Sequence, residues 1–148
     1  MPGAPMNNYP SLLQFDYLEY ARQFYKAFGE LPPRPPLQSW PRYLMLCHSI
    51  ELALKAYLAA QGFTVRDLQK RSIMHNLTKL LTEAMDKGLS ISQSTQEDIK
   101  KLHEAHDKYW HRYPHDPAQF YVIEHFERAA SELIQCVENA ITSVPNKR

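Results

Sequence analysis

HSIELALKAYL, residues 48–58, reads as the middle of a helix that is apolar on nearly every side yet carries His48, Glu51 and Lys55 at spacings of three and four. At 100° per residue these three side chains share one face. A narrow ionisable stripe on an apolar cylinder has two readings. Either it is a structural line, in which Glu51 pairs with Lys55 or reaches a neighbouring helix, or it rims a pocket or a subunit contact. Burial sets the stakes: an exposed pair at this spacing is worth about 0.2–0.5 kcal/mol, whereas an unpaired buried charge costs several kcal/mol. The helix is expected to be the central one, packed on several sides, with its polar line turned to a crevice or a twofold axis and away from bulk water.

Outward from this segment the chain is helix after helix. The central helix starts near Ser39, takes Pro41 in its first turn, where the missing N–H is no loss, and runs through Ala60 to a stop at Gly62. Before it, LPPRPP (31–36) is an extended connection, since each proline removes a donor and restricts its predecessor. Upstream, Ser11 caps a helix with Leu12, Phe15, Leu18, Ala21, Tyr25 and Phe28 at helical spacing, ending near Gly29. After the central helix, a short helical turn covers Val65 to Lys70. His75 and Asn76 then open a helix carrying Leu77, Leu80, Leu81 and Ala84, with Asn76 as its cap and Gly88 as its end.

SQSTQED (92–98) places Ser and Thr ahead of Glu97 and Asp98, as the positive end of a helix favours. The helix that follows aligns Ile99, Leu102, His106 and Tyr109 and breaks around Tyr113 and Pro114. A last helix, capped by Asp116 with Pro117 at its first position, runs from Ala118 to about Ser143. Its stripe of Ile123, Phe126, Ala130, Leu133, Val137 and Ile141 is the longest regular pattern in the chain. No strand-like alternation and no internal repeat competes. The expectation is an all-α bundle with largely antiparallel neighbours, one domain over residues 11–144 behind a disordered or extended segment, 1–10.

Composition narrows the function classes. With 148 residues, 44% hydrophobic, the chain closes one sizeable core. Seventeen Lys and Arg against 16 Asp and Glu leave a formal charge of +1, so no global field points to a nucleic acid or a membrane. Cys47 and Cys136 sit in helical apolar patterns without CxxC or metal spacing, which favours reduced thiols and a cytoplasmic location. MPGAPMNNYP lacks the basic and apolar regions of a signal peptide, and no window approaches a membrane span.

Three pieces in order, His48-x-x-Glu51-x-x-x-Lys55, His75-Asn76-Leu77 and Arg112-Tyr113-Pro114, followed by a long amphipathic closing helix, resemble the HEPN superfamily, named for nucleotide binding in higher eukaryotes and prokaryotes. The resemblance spans residues 40–142. It implies an up-and-down bundle of four to five helices, frequently a homodimer, with roles in RNA cleavage, nucleotide binding or partnership with a nucleotidyltransferase or antitoxin. The family's ribonucleases share an Arg-x(4–6)-His motif in the later half of the bundle. Here that neighbourhood reads Arg112-Tyr113-Pro114-His115, with two residues between and a proline that forbids the helical phase, so the match fails there.

Arg42 and His48 have the ribonuclease separation, at the start of the central helix. Metal-free RNA cleavage needs a His to move the 2′-OH proton and an Arg to steady the phosphorane; the sequence supplies both types without fixing their geometry. KYWHRYP, with Lys108, Tyr109, Trp110, Arg112 and Tyr113, is aromatic and basic, fit to stack a base and hold a phosphate or, more plainly, to plug the end of a bundle. His103, His106, His111 and His115 invite a zinc reading, but zinc needs three or four convergent ligands and Pro114 swings His115 away, so neither a metal nor a cofactor is expected. The favoured expectation is a non-catalytic module binding a nucleotide, RNA or partner protein through His48, Glu51, Lys55, His75, Tyr109, Arg112 and Tyr113. The alternative is a metal-independent endoribonuclease of toxin–antitoxin or defence type, with His48 or His115 as base and Arg42 or Arg112 as phosphate stabiliser.

Overall fold

The computed structural model describes residues 12–32, 40–108 and 123–143. Among them are six helices and no strand: α1 (Leu13–Glu30), α2 (Trp40–Ala60), α3 (Val65–Leu68), α4 (Leu77–Asp86), α5 (Gln93–Lys108) and α6 (Ile123–Ser143). The all-α expectation holds, and the sixth element is the short turn after α2, closed by a capping box in which Thr64 and Asp67 bond each other's backbone N–H. No helix among the described residues is long and apolar enough to cross a membrane.

α2 is the hub. It packs against α1, α4, α5 and α6, and Leu46, Ile50, Ala53, Leu54, Ala56 and Leu58 along it are wholly buried. A helix apolar on most sides has no solvated face to offer, so it ends inside a ring of others. α1 lies antiparallel on it. The Ser49 hydroxyl, with no exposed surface, donates to the Ala21 carbonyl at 2.9 Å, and Phe24 and Phe28 follow opposite His48 and Arg42. α4 sets out beside the middle of α2, where His75 meets Glu51, and finishes near its last turns, where the Tyr57 hydroxyl donates to the Lys87 carbonyl. α6 closes the core with Ile123, Phe126, Ala130, Leu133, Val137 and Ile141 all buried, as its stripe requires.

The helix ends show which local signals won. α2 and α4 both stop on a glycine at positive φ, Gly62 at 104° and Gly88 at 111°. Each is followed by a backbone bond reaching back five residues, Phe63 to Leu58 and Leu89 to Ala84. Asn76 caps α4 as expected, its Oδ1 accepting from the Lys79 N–H at 3.0 Å. α1, by contrast, runs through Gly29 to Glu30. The stop is Leu31, held extended (ψ 128°) because it precedes Pro32, so the proline and not the glycine ends the helix. Ser11, Ser39, most of LPPRPP and residues 109–122 lie outside the described residues, and with them the breaks expected at Tyr113–Pro114 and Asp116–Pro117.

Two expectations need correction. Leu18, Ala21 and Phe28 of the α1 stripe are buried, but Leu12 and Phe15 are 49% and 41% exposed. Leu12 and half-exposed Val65 instead border an apolar groove of about 450 Å³ between the start of α1 and the end of α2. In α5, Glu97 and Asp98 are not first-turn residues: the helix begins at Gln93, with the Ser92 hydroxyl accepting from the Thr95 N–H. The negative charge at this terminus comes from α6. Glu132 accepts from the Ser92 N–H at 3.0 Å and from the Ser92 and Thr95 hydroxyls at 3.1 and 2.7 Å. These bonds, first the Thr95 hydroxyl and then the Ser92 N–H, hold the Glu132 carboxyl below its ordinary range. Asp98 turns inward and takes Arg128 of α6 at 3.1 Å.

Candidate functional site

Two of the three groups in the polar line of α2 are buried. Glu51 and Lys55 are each 8% exposed, and the Lys55 ammonium donates to Glu51 Oε2 at 2.8 Å, one turn away on the same helix. The same oxygen meets Nδ1 of His75, 2.9 Å away, from the segment between α3 and α4. Three residues expected at the site thus converge on one carboxylate oxygen, and the pairing that burial makes compulsory is present. His75 does not cap α4, which Asn76 does; it is the second partner of Glu51.

Burial alone would raise the Glu51 carboxyl, but the bonds and charges of Lys55 and His75 outweigh it, and the group lies below its ordinary range. Its charge is felt nearby. Burial first, and the Glu51 charge second, push the Tyr17 hydroxyl and the Cys47 thiol upward. Cys47 is therefore a buried, inert thiol, and both it and half-buried Cys136 are free.

His75 stands out for its backbone. It is the one non-glycine at positive φ (63°) among the described residues, a conformation that costs an ordinary L-residue about 1–2 kcal/mol. Its side chain is 62% exposed while its Nδ1 is turned in to Glu51. A carboxylate only accepts, so the hydrogen sits on Nδ1, and the neutral ring carries its lone pair on Nε2. The arrangement is an imidazole anchored at one nitrogen and open at the other.

His48, one turn before Glu51, is half-buried with its ring 5.0 Å from that of Phe24 on α1, tilted by 39°. Arg42 lies with its guanidinium carbon 4.4 Å above the Phe28 ring, and its Nε is buried with no hydrogen-bond partner among the described residues. Six residues of helix leave the two side chains about 120° apart around the axis and move them about 9 Å along it. Each is committed to a different ring of α1. Tyr109, Arg112, Tyr113 and His115 lie outside the described residues, as do His111 and the side chain of His106. Among the described residues no group of three or more His, Cys, Asp or Glu side chains is placed to hold a metal ion.

Comparison with family models, curated proteins and solved structures gives no match.

The sequence pointed to Glu51, Lys55, His75, His48 and Arg42 but not to the α1 rings that hold the last two, Phe24 on His48 and Phe28 under Arg42. Phe24 and Phe28, four residues apart, carried that signal, and the regular core stripe of α1 masked it. Nothing local marks Glu132 as the cap of α5, forty residues away.

Proposed function

We propose that this chain is a HEPN-like helical module that binds a nucleotide, RNA or a partner protein without cleaving it. The observation that carries the reading is His75, whose imidazole is fixed at Nδ1 by the buried Glu51 while its side chain is 62% exposed. A side chain held by a buried anion, in a backbone conformation it would otherwise avoid, is the kind of feature a binding site retains. Cleavage would need a cation beside the base to meet the charge of the phosphorane. Lys55, the cation of this cluster, is already spent on Glu51, and Arg42 is stacked on Phe28. That favours binding over chemistry.

Two further parts rest on the resemblance, an up-and-down bundle acting as a homodimer and a nucleotidyltransferase or an antitoxin as its protein partner, and a cytoplasmic location rests on the two free cysteines. Titration calorimetry with AMP, ATP and a short mixed-sequence RNA tests the binding reading. Binding is expected for at least one of the three, with His75→Ala weakening it and circular dichroism unchanged. No binding of any of them by folded protein refutes nucleotide recognition. RNA cleavage that disappears in His48→Ala or His75→Ala refutes the non-catalytic reading and establishes a metal-independent endoribonuclease.

A further inference from the structure

The charge balance around Glu51 decides what the open edge of His75 can recognise. Glu51 and Lys55 cancel, and the Lys55 side chain is only 10% exposed, with its ammonium 2.8 Å from the carboxylate. Within the triad no cation is left to face outward. His75 gives its Nδ1 hydrogen to Glu51, so its exposed Nε2 is a bare acceptor in the neutral ring. An anionic phosphate approaching that edge meets a lone pair; an N–H or O–H donor meets a preset partner. The left-handed backbone at His75 (φ 63°) adds direction, because relaxing it would swing the ring off Glu51.

His48 shares the α2 face of Glu51 and is tilted against Phe24 with 5.0 Å between ring centroids, and neither ring is fully buried. Aromatic and imidazole rings of this kind accept a third planar ring by stacking.

We propose that this site reads the uncharged ring of its ligand: Nε2 of His75 accepts an N–H of a nucleobase, and the phosphate is not held here. The inference rests on the nucleotide-binding reading above and names which part of the nucleotide makes the contact.

Two nucleoside pairs test it, measured by calorimetry at pH 8 and at two salt concentrations. Purine riboside is adenosine without the 6-amino donor, and 3-methyluridine is uridine without the N3–H. For whichever parent binds, the analogue is expected to bind about 5- to 10-fold more weakly, the worth of one neutral hydrogen bond. His75→Ala should bind parent and analogue equally, and AMP should match adenosine within about twofold with little salt dependence. Nitrogen NMR of the wild-type imidazole supplies a readout that needs no variant: His75 is expected as the Nδ1–H tautomer, with its Nε2 signal shifting when the parent nucleoside is added. Equal binding of parent and analogue by the wild type, or binding that requires the phosphate and falls steeply with salt, overturns this inference while leaving nucleotide recognition standing. Absence of binding by nucleosides, nucleotides and RNA alike overturns both.

Discussion

Removing Glu51 should harm this protein far more than removing Glu51 and Lys55 together. Glu51→Leu removes the carboxylate from Lys55, a residue only 8% exposed. The most that can cost at pH 7 is set by the escape route of shedding the proton, about 4.6 kcal/mol for a lysine of ordinary basicity. Breaking a buried pair from one side typically costs about 3–5 kcal/mol, which agrees. Lys55→Met leaves Glu51 buried instead. Its escape, taking up a proton, is capped at about 3.7 kcal/mol, and His75 still donates to it, so this variant should be the milder of the two. In Glu51→Leu/Lys55→Met no charge is stranded and both side chains keep nearly their volume, so stability should return to within about 1 kcal/mol of wild type. Urea unfolding followed by circular dichroism on the four proteins closes the cycle, with an expected coupling of at least about 2 kcal/mol. Additive losses, or a double variant worse than either single one, would refute the claim that burial compels the pairing.

Other expectations follow from the same structure. Glu51 and Glu132 both have folded-state pKa values below the ordinary 4.5, so as pH falls the unfolded chain takes up protons first. Their stabilisation is full above about pH 4.5 and is lost as pH drops through the depressed values; Glu51→Gln should flatten that acid limb in a series of urea melts. Glu132→Gln should lower stability by about 1 kcal/mol by weakening the charge-assisted bonds to the start of α5, and hydrogen exchange should rise first at Thr95. Gly88→Ala should cost more than Gly62→Ala in thermal melts. Both force a side chain into the left-handed region at about 1–2 kcal/mol, but only at Gly88 does the new Cβ meet an atom, the Tyr57 hydroxyl at 3.3 Å.

What was legible in the sequence was what depends on spacing. The α6 stripe, the apolar circumference of α2, the Asn76 cap and the glycine stops at 62 and 88 are local or periodic, and each is where it was expected. Spacing alone did not settle the detail where two local signals competed or where the decisive partner was distant. At the end of α1, Gly29 and Pro32 both signal a stop, and the steric ban set by the proline is the harder constraint. At the start of α5, Glu97 and Asp98 suited a capped first turn, but Glu132 had already filled that role from another helix. The candidate site was half visible for the same reason. Glu51 and Lys55 announce each other at four residues, whereas the bond from His75 spans twenty-four, and only the fold brings it in.

The hydroxyl of Ser49, sealed against the Ala21 carbonyl, limits how this protein can move. Sliding α1 along α2 by even one residue would strand that hydroxyl away from water, at about 1–3 kcal/mol, while also pulling Phe24 and Phe28 off their partners. The hairpin is thus bolted in one register and behaves as a fixed wall. Any accommodation of an incoming molecule falls to the opposite bank, the stretch from Gln61 to Asn76, which grips the wall through His75.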